Sequence, residues 1–351
     1  MSLRPTYTCE ADVVAGLERF ATLEIAHIGG QVYATLEGVI RFSYRGALEK
    51  LLTLRSVLAV YLLHTFAVPR PKALLGDAAL RVLHAHIDTA LVAGGHANTP
   101  FQTFMLAASG AQSPTMQRIG QTIASHTGLA RVDENGALLV RLRPSPNKNA
   151  APPAGWDVLV RIGSRPLAAR PWRVCLIDGA LQATVAHVMA QLTRPAANDF
   201  CLNLGCGSGT LLIERAMLGP ASWLVGCDVD ARALECAARN VTSTKYPIAL
   251  QDWDATALPL PDGSVDVLMA DLPFGVRVGS HRANEVLYPA VLREATRVAK
   301  PGARFVLISA EVRLLQQAVT QAQIWKIVES LRVDLGGLRP QILLLERAMA
   351  G

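Results

Sequence analysis

Beyond residue 180 the sequence alternates short apolar runs of period two with amphipathic stretches of period near 3.6, and no other feature narrows the possible folds so far. Strands are expected at 200–204, 222–227, 246–250, 265–270, 303–309, 323–333 and 340–346. Helices are expected at 180–193, 208–218, 230–240, 287–299 and 311–320. Alternation of this kind predicts an α/β domain with a largely parallel sheet. Pro301-Gly302 stops the helix that ends at Lys300. The last two strands follow one another across Gly336-Gly337, which predicts an antiparallel hairpin at one sheet edge and a mixed sheet of seven strands.

The first half reads as α+β. A strand near 5–9 precedes a helix at 12–28 that ends on Gly29-Gly30, and strands near 31–42 and 57–67 flank a helix at 46–54. A second unit runs helix 76–93, strand 100–107, helix 114–126 and strands 137–143 and 156–162, with an exposed turn at Pro144–Pro153 (PSPNKNAAPP). The 351 residues suffice for two or three domains. Charge is uneven: residues 1–175 carry 18 Lys+Arg against 11 Asp+Glu, and residues 176–351 carry 16 against 17. A basic half suggests a polyanion partner, the alternative being a solvated basic surface. No apolar stretch reaches the ~18–20 residues of a membrane span, and the start carries no secretory signal. Cysteines at 9, 175, 201, 206, 227 and 236 include no CxxC pair, so neither a disulfide framework nor a zinc site is expected; all six are read as reduced core residues of a cytoplasmic protein.

CLNLGCGSGTLLIER (201–215) places Gly205-Cys206-Gly207-Ser208-Gly209 between a strand and a helix. Glycines let backbone turn tightly and approach a ligand. A dinucleotide fingerprint would need glycine where Thr210 stands, and a phosphate loop would need a lysine near the helix start. The pattern suits S-adenosyl-L-methionine, whose carboxylate and amino group carry no phosphate; an ordinary strand–helix turn is the alternative. Asp228, ending the next strand in WLVGCDVD, can accept from ribose hydroxyls. Its other role would be a helix N-cap, which Asp230 is better placed to serve. Asp254 follows the third strand, able to accept from an adenine amine. Glycine loop, Asp228 and Asp254 converge on the crevice at the strand ends.

MADLPFGVR (269–277) ends the fourth strand on Asp271-Leu272-Pro273-Phe274-Gly275. An exocyclic base amine is a poor nucleophile because its lone pair is delocalised. Two acceptors gripping its hydrogens, the Asp271 carboxylate and the Leu272 carbonyl, would aim that lone pair at a methyl group. Pro273 holds the turn, and Phe274 offers a surface for stacking. The alternative is a strand-ending turn whose aspartate caps a backbone N–H.

CGSGT (206–210), GCDVD (226–230), DATALP (254–259), ADLPFG (270–275) and RVAKPGARFVLIS (297–309) resemble class I methyltransferases of base amines. D-L-P-F-G is similar to the THUMP-domain tRNA guanine-N2 methyltransferases, the TrmN-like group. GLE (16–18), SPTMQRIGQTIASHTG, GALLVRLRP and WDVLVRIGSRPLAARPWR (156–173) agree with that group's amino-terminal order. The resemblance implies a Rossmann-like methyltransferase domain at 181–351, after a ferredoxin-like domain (1–70), a THUMP domain (71–165) and a linker (166–180). It implies S-adenosyl-L-methionine as cofactor, tRNA as partner and methylation of a guanine amine, commonly at the sixth nucleotide; methyl transfer to a free exocyclic amine needs no metal, and a monomer is expected. Asp271, Leu272, Pro273 and Phe274 would bind the base. Asn203, Gly205, Cys206, Gly207, Ser208, Gly209, Asp228, Val229, Asp254, Ala255 and Asp271 would bind the cofactor. Arg141, Arg143, Lys148, Arg161, Arg165, Arg170 and Arg173 would contact RNA phosphates, with surface solubility the alternative for the linker arginines. The group usually has Asp-Pro where Asn203-Leu204 stand, so one acid is missing. His187 and His281 are expected to be structural or surface residues. Rival readings are the same chemistry on ribosomal RNA or DNA, and an RNA-binding protein with a decayed enzyme fold.

Overall fold

A computed structural model describes residues 5–95, 101–145, 155–275 and 279–349. The chain divides into two compact units, residues 1–13 with 18–168, and residues 14–17 with 169–351.

The first unit runs β1 (Tyr7–Asp12), α1 (Glu18–His27), β2 (Gln31–Leu36), β3 (Val39–Tyr44), β4 (Ala59–Phe66), α2 (Asp77–Gly95), β5 (Thr103–Ala108), α3 (Pro114–Thr127), β6 (Ala130–Arg131), β7 (Leu138–Pro144) and β8 (Trp156–Arg161). All eight strands form one sheet, in the order β2-β3-β1-β4-β8-β7-β5-β6. The single strand expected at 31–42 is a hairpin turning at Glu37-Gly38, where Gly38 takes a positive φ. The helix expected at 46–54 is a short 3-10 turn, Leu48–Thr53. Helix α3 lies where its caps place it: Ser113 accepts from Met116 N, Pro114 opens the first turn, and Gly128 ends the helix in the left-handed region. Most of the 144–153 turn lies outside the described residues.

The second unit runs α4 (Ala183–Leu192), β9 (Phe200–Leu204), α5 (Thr210–Ala216), β10 (Trp223–Cys227), α6 (Ala231–Thr242), β11 (Ala249–Gln251), β12 (Val265–Asp271), α7 (His281–Val298), β13 (Ala299–Ser309), α8 (Val312–Ala322), β14 (Trp325–Arg332) and β15 (Gln341–Arg347). Its mixed sheet has the order β11-β10-β9-β12-β13-β15-β14. The five strands β9–β13 pair in parallel; β15 runs antiparallel between β13 and β14 and leaves β14 at the edge. The apolar runs of β9 and β12 are buried throughout their middles, as strands covered on both faces must be.

Pro301-Gly302 does not follow a helix. Helix α7 ends at Val298, and the pair lies inside β13, where Val265 pairs with Ala299 and Val267 with Arg304. Four residues on one strand therefore face Asp266 alone, and the Pro-Gly bulge absorbs the excess. The expectation that all cysteines are reduced is also corrected: Cys175 and Cys236 form a disulfide, while Cys9, Cys201, Cys206 and Cys227 are free and buried. Partners 61 positions apart carry no local spacing signal. Among the described residues no helix is long and apolar enough to cross a membrane, and no group of three His, Cys, Asp or Glu could hold a metal ion.

Candidate active site

Register brings the candidate residues to the carboxyl ends of neighbouring strands in the second sheet. Leu204, the last residue of β9, pairs with Cys227 of β10 on one side and Ala270 of β12 on the other. Gly205, Asp228 and Asp271 therefore stand at one level, on neighbouring strands about 4.8 Å apart. Cys227 in turn pairs with Gln251 of β11, three residues before Asp254.

Gly205, Gly207 and Gly209 have φ of +60°, +53° and +75°, the left-handed conformation that accounts for glycine at alternate positions. The loop is tied down by Cys206 N donating to Cys227 O (2.8 Å) and by Asn240 Nδ2 donating to Ser208 O (2.9 Å). Cys206 and Ser208 are buried, and Ser208 Oγ meets Thr210 Oγ1 at 2.9 Å, so these two residues have only backbone to offer a ligand.

Asp228, expected at the ribose, holds backbone of the glycine loop. Its Oδ2 accepts from Gly207 N (2.8 Å) and its Oδ1 from Asp230 N (3.0 Å). Each carboxylate oxygen retains a further lone pair. Asp230 caps α6 by accepting from Arg232 N. Val229 is 69% exposed, and Ala255 packs against the domain core. Asp254 is exposed; its Oδ1 accepts from Thr256 N (2.8 Å) and Thr256 Oγ1 (2.7 Å), bonds that lower its pKa. The loop carrying it is held by Arg297, which the sequence reading assigned no role. Its guanidinium donates to the carbonyls of Leu258 and Leu260 and to Asp262 and Glu294.

Asn203 is 1% exposed. Its Nδ2 donates to Met269 O (3.1 Å), while its Oδ1 is buried without a partner among the described residues. A Cβ built on Gly205 would meet nothing within 4 Å, so backbone there borders open space. An unsatisfied buried acceptor two residues from this open glycine fits the amino-acid end of the expected cofactor.

Asp271 is half-buried, and no donor meets its carboxylate among the described residues. Loss of solvent alone pushes its pKa up to about 7. Leu272 is buried, with its N–H donating to Ile308 O (3.1 Å); Pro273 and Phe274 are half-buried. Four further residues surround this turn that sequence reasoning passed over: Asn284, Tyr288, Ser309 and Glu311. The helix was expected only from 287, which left Asn284 outside it and hid its one-turn spacing from Tyr288.

The arginines expected to meet RNA divide sharply. Arg161 is buried and donates to the carbonyls of Gly136, Ala137, Gly163 and Ser164, with burial lowering its pKa. Arg170 is buried and paired with Glu214 (2.8 Å), which also accepts from His187 (Nδ1–Oε2 3.1 Å). These two arginines cannot reach a phosphate, which corrects the expectation. Arg141 binds Asp12 and lies over the Tyr61 ring; Arg143 binds Glu10 (2.5 Å). Arg173 donates to Leu181 O, Arg165 is exposed, and Lys148 lies outside the described residues. His187 is a buried structural residue; His281 is exposed and bonded to Glu311.

Comparison with known proteins agrees with this architecture. Residues 170–341 match the UPF0020 family, described as an RMKL-like methyltransferase domain. The tRNA (guanine(6)-N(2))-methyltransferase THUMP3 of Bos taurus is 35% identical over 182 residues, 48% of this chain and 36% of that protein. The U6 snRNA (guanine-N(2))-methyltransferase THUMPD2 of Bos taurus is 32% identical over 148 residues, 42% of this chain and 28% of that protein. The chain thus spans only 36% and 28% of the length of these two curated relatives. The crystal structure of TrmN from Thermus thermophilus superposes with a TM-score of 0.74 at 23% identity, covering 98% of this chain and all of that one. The family match falls within the second unit and spans the glycine loop and the Asp271 turn.

Proposed function

We propose that this chain methylates the exocyclic N2 amine of a guanosine in tRNA, at the sixth nucleotide of the acceptor stem, with S-adenosyl-L-methionine as donor. One observation carries the reading: Asp271, its carboxylate without a donor among the described residues, leaves the sheet level with the glycine loop and next to the strand that bears it. The two curated relatives differ in the RNA they act on and share the guanine N2, which supports the choice of nucleophile.

Asn203 Oδ1 and the Gly205–Gly209 backbone would hold the amino-acid end of the cofactor, Asp228 the ribose hydroxyls, Val229 the adenine face and Asp254 the adenine amine. When bound, the cofactor supplies an electrophilic methyl on a sulfonium. The chain's own contribution is to seat the nucleophile. The Asp271 carboxylate and the Leu272 carbonyl accept the two amine hydrogens and turn the nitrogen lone pair along the line of transfer, so most of the acceleration is positioning. As the nitrogen gains its methyl it sheds a proton, which the Asp271 carboxylate accepts. Phe274 stacks on the base.

We read residues 1–70 as ferredoxin-like, 71–165 as a THUMP domain and 166–180 as a linker, acting together to hold the acceptor stem of tRNA in the cytoplasm. Exposed Arg165 and the basic excess of the first half support this. The test is mass spectrometry of nucleosides from tRNA incubated with the full chain and labelled cofactor. N2-methylguanosine formed by the wild type and lost in Asp271→Ala is the expected result. Label on another base, or none, refutes the assignment.

A further inference from the structure

The DLPF turn is gripped from behind. Pro273 O accepts from Tyr288 Oη (2.6 Å) and from Asn284 Nδ2 (2.8 Å), so both lone pairs of that carbonyl are taken. Tyr288 has one proton to give. Having given it to Pro273, it must accept from Ser309 Oγ, 2.6 Å away, and Ser309 Oγ in turn accepts from Glu311 N (2.9 Å). The second amide hydrogen of Asn284 goes to Glu311 Oε1 (2.6 Å). Tyr288, Asn284 and Ser309 are fully buried, and the bond between Tyr288 and Ser309 lies away from competing water.

This chain of donors fixes one side of a very short segment. The peptide between Asp271 and Leu272 is set by the sheet, through Leu272 N donating to Ile308 O. The peptide between Pro273 and Phe274 is set by Tyr288 and Asn284. The proline ring restrains φ between them and removes a donor that would compete with a base. The Leu272 carbonyl lies inside this clamp. Without Tyr288 and Asn284, Pro273 O would become a third acceptor beside the other two. An amine seated one carbonyl along the chain would point its lone pair off the line of transfer.

The geometry points to Tyr288 and Asn284, braced by Ser309 and Glu311, as positioning residues that occupy the Pro273 carbonyl and so leave the base amine only the Asp271 carboxylate and the Leu272 carbonyl; this rests on the function proposed above. Such residues act on the rate of transfer and leave binding alone. A purely structural role would act on the fold and on every ligand together.

The test is Tyr288→Phe in the full chain, which keeps the ring in the core and removes only the hydroxyl. Single-turnover methylation of tRNA at saturating S-adenosyl-L-methionine is expected to fall roughly 10- to 100-fold, the scale of a small misplacement of a reacting group. The Kd values for S-adenosylhomocysteine and for tRNA, by calorimetry and filter binding, stay within about twofold. Ser309→Ala, which leaves the Tyr288 donation in place, costs less than tenfold, and Asn284→Ala falls in the range of Tyr288→Phe. If Tyr288→Phe fails to fold, the order of these other two variants decides. A Tyr288→Phe rate within twofold of wild type overturns the inference, as does a loss of S-adenosylhomocysteine affinity that parallels the loss of rate. A wild-type protein that makes no N2-methylguanosine overturns the functional reading itself; an active wild type with an indifferent Tyr288→Phe overturns only the positioning.

Discussion

Replacing Asp228 by asparagine changes almost nothing in shape and yet should disable the glycine loop. The carboxylate holds two backbone donors at once, Gly207 N on Oδ2 and Asp230 N on Oδ1. An amide has one oxygen. Whichever way it is turned, its NH2 faces one of those two N–H groups, and one bond becomes a donor–donor contact. A hydrogen bond to a charged group is worth about 1.5–3 kcal/mol, and Asp228 is only half-buried, so a net cost of about 2 kcal/mol is expected. That is about 30-fold in the population of the loop conformation that receives a ligand. In Asp228→Ala both bonds are lost, but water can reach the abandoned donors and no repulsion replaces them. Asparagine should therefore be no better than alanine, the reverse of the usual order for a conservative substitution. Isothermal titration with S-adenosylhomocysteine measures this directly. Affinity in Asp228→Asn within twofold of wild type would show that the carboxylate does not organise the loop.

The pH profile reports on Asp271. With its pKa raised to about 7, kcat/KM should climb through neutrality to a plateau above about pH 8, because only the carboxylate can accept both an amine hydrogen and the departing proton. Stability runs the other way. A carboxyl whose folded pKa lies above its unfolded value loses native stability as pH rises from about 4 through 7, so Asp271→Asn should be the more stable protein at pH 8; equal urea midpoints there would contradict the shift. Glu214 offers a stability test away from the chemistry: it is fully buried between Arg170 and His187, and Glu214→Gln removes the carboxylate charge that faces the buried Arg170 guanidinium. A loss of about 3 kcal/mol in urea unfolding is expected, and a change below about 1 kcal/mol would refute the buried-pair reading.

The second sheet was legible because its strands are covered on both faces and its turns need particular residues. Gly205, Gly207 and Gly209 announce three left-handed positions, and Asp271 ends an apolar run that must lie inside. What sequence concealed is what depends on a partner far along the chain. Composition counts Arg161 and Arg170 as surface charge, whereas each is inside, against carbonyls or a carboxylate it meets only in three dimensions. Pro301-Gly302 reads as a helix stop at any position, and only the register against Val265 and Val267 shows it to be a bulge. Asn284 and Tyr288 look like ordinary residues of an amphipathic helix. The role inferred for them rests on the Pro273 carbonyl lying opposite, which no local pattern records.

Asn203 shows why a departure from a family pattern need not mean decay. An aspartate at that position is acceptor-only when ionised and would place its oxygen against Met269 O. Asparagine instead donates to that carbonyl at 3.1 Å and so links β9 to β12 two residues before Asp271. Its remaining oxygen, buried and without a partner among the described residues, would still be an acceptor for the ammonium group of the proposed cofactor. The exchange gives up a charge–charge attraction to the cofactor. In return the strand that carries the Asp271 turn is tied to the strand that carries the glycine loop, and in the reaction proposed above, which needs two groups on neighbouring strands aligned, that bond would act on the alignment itself.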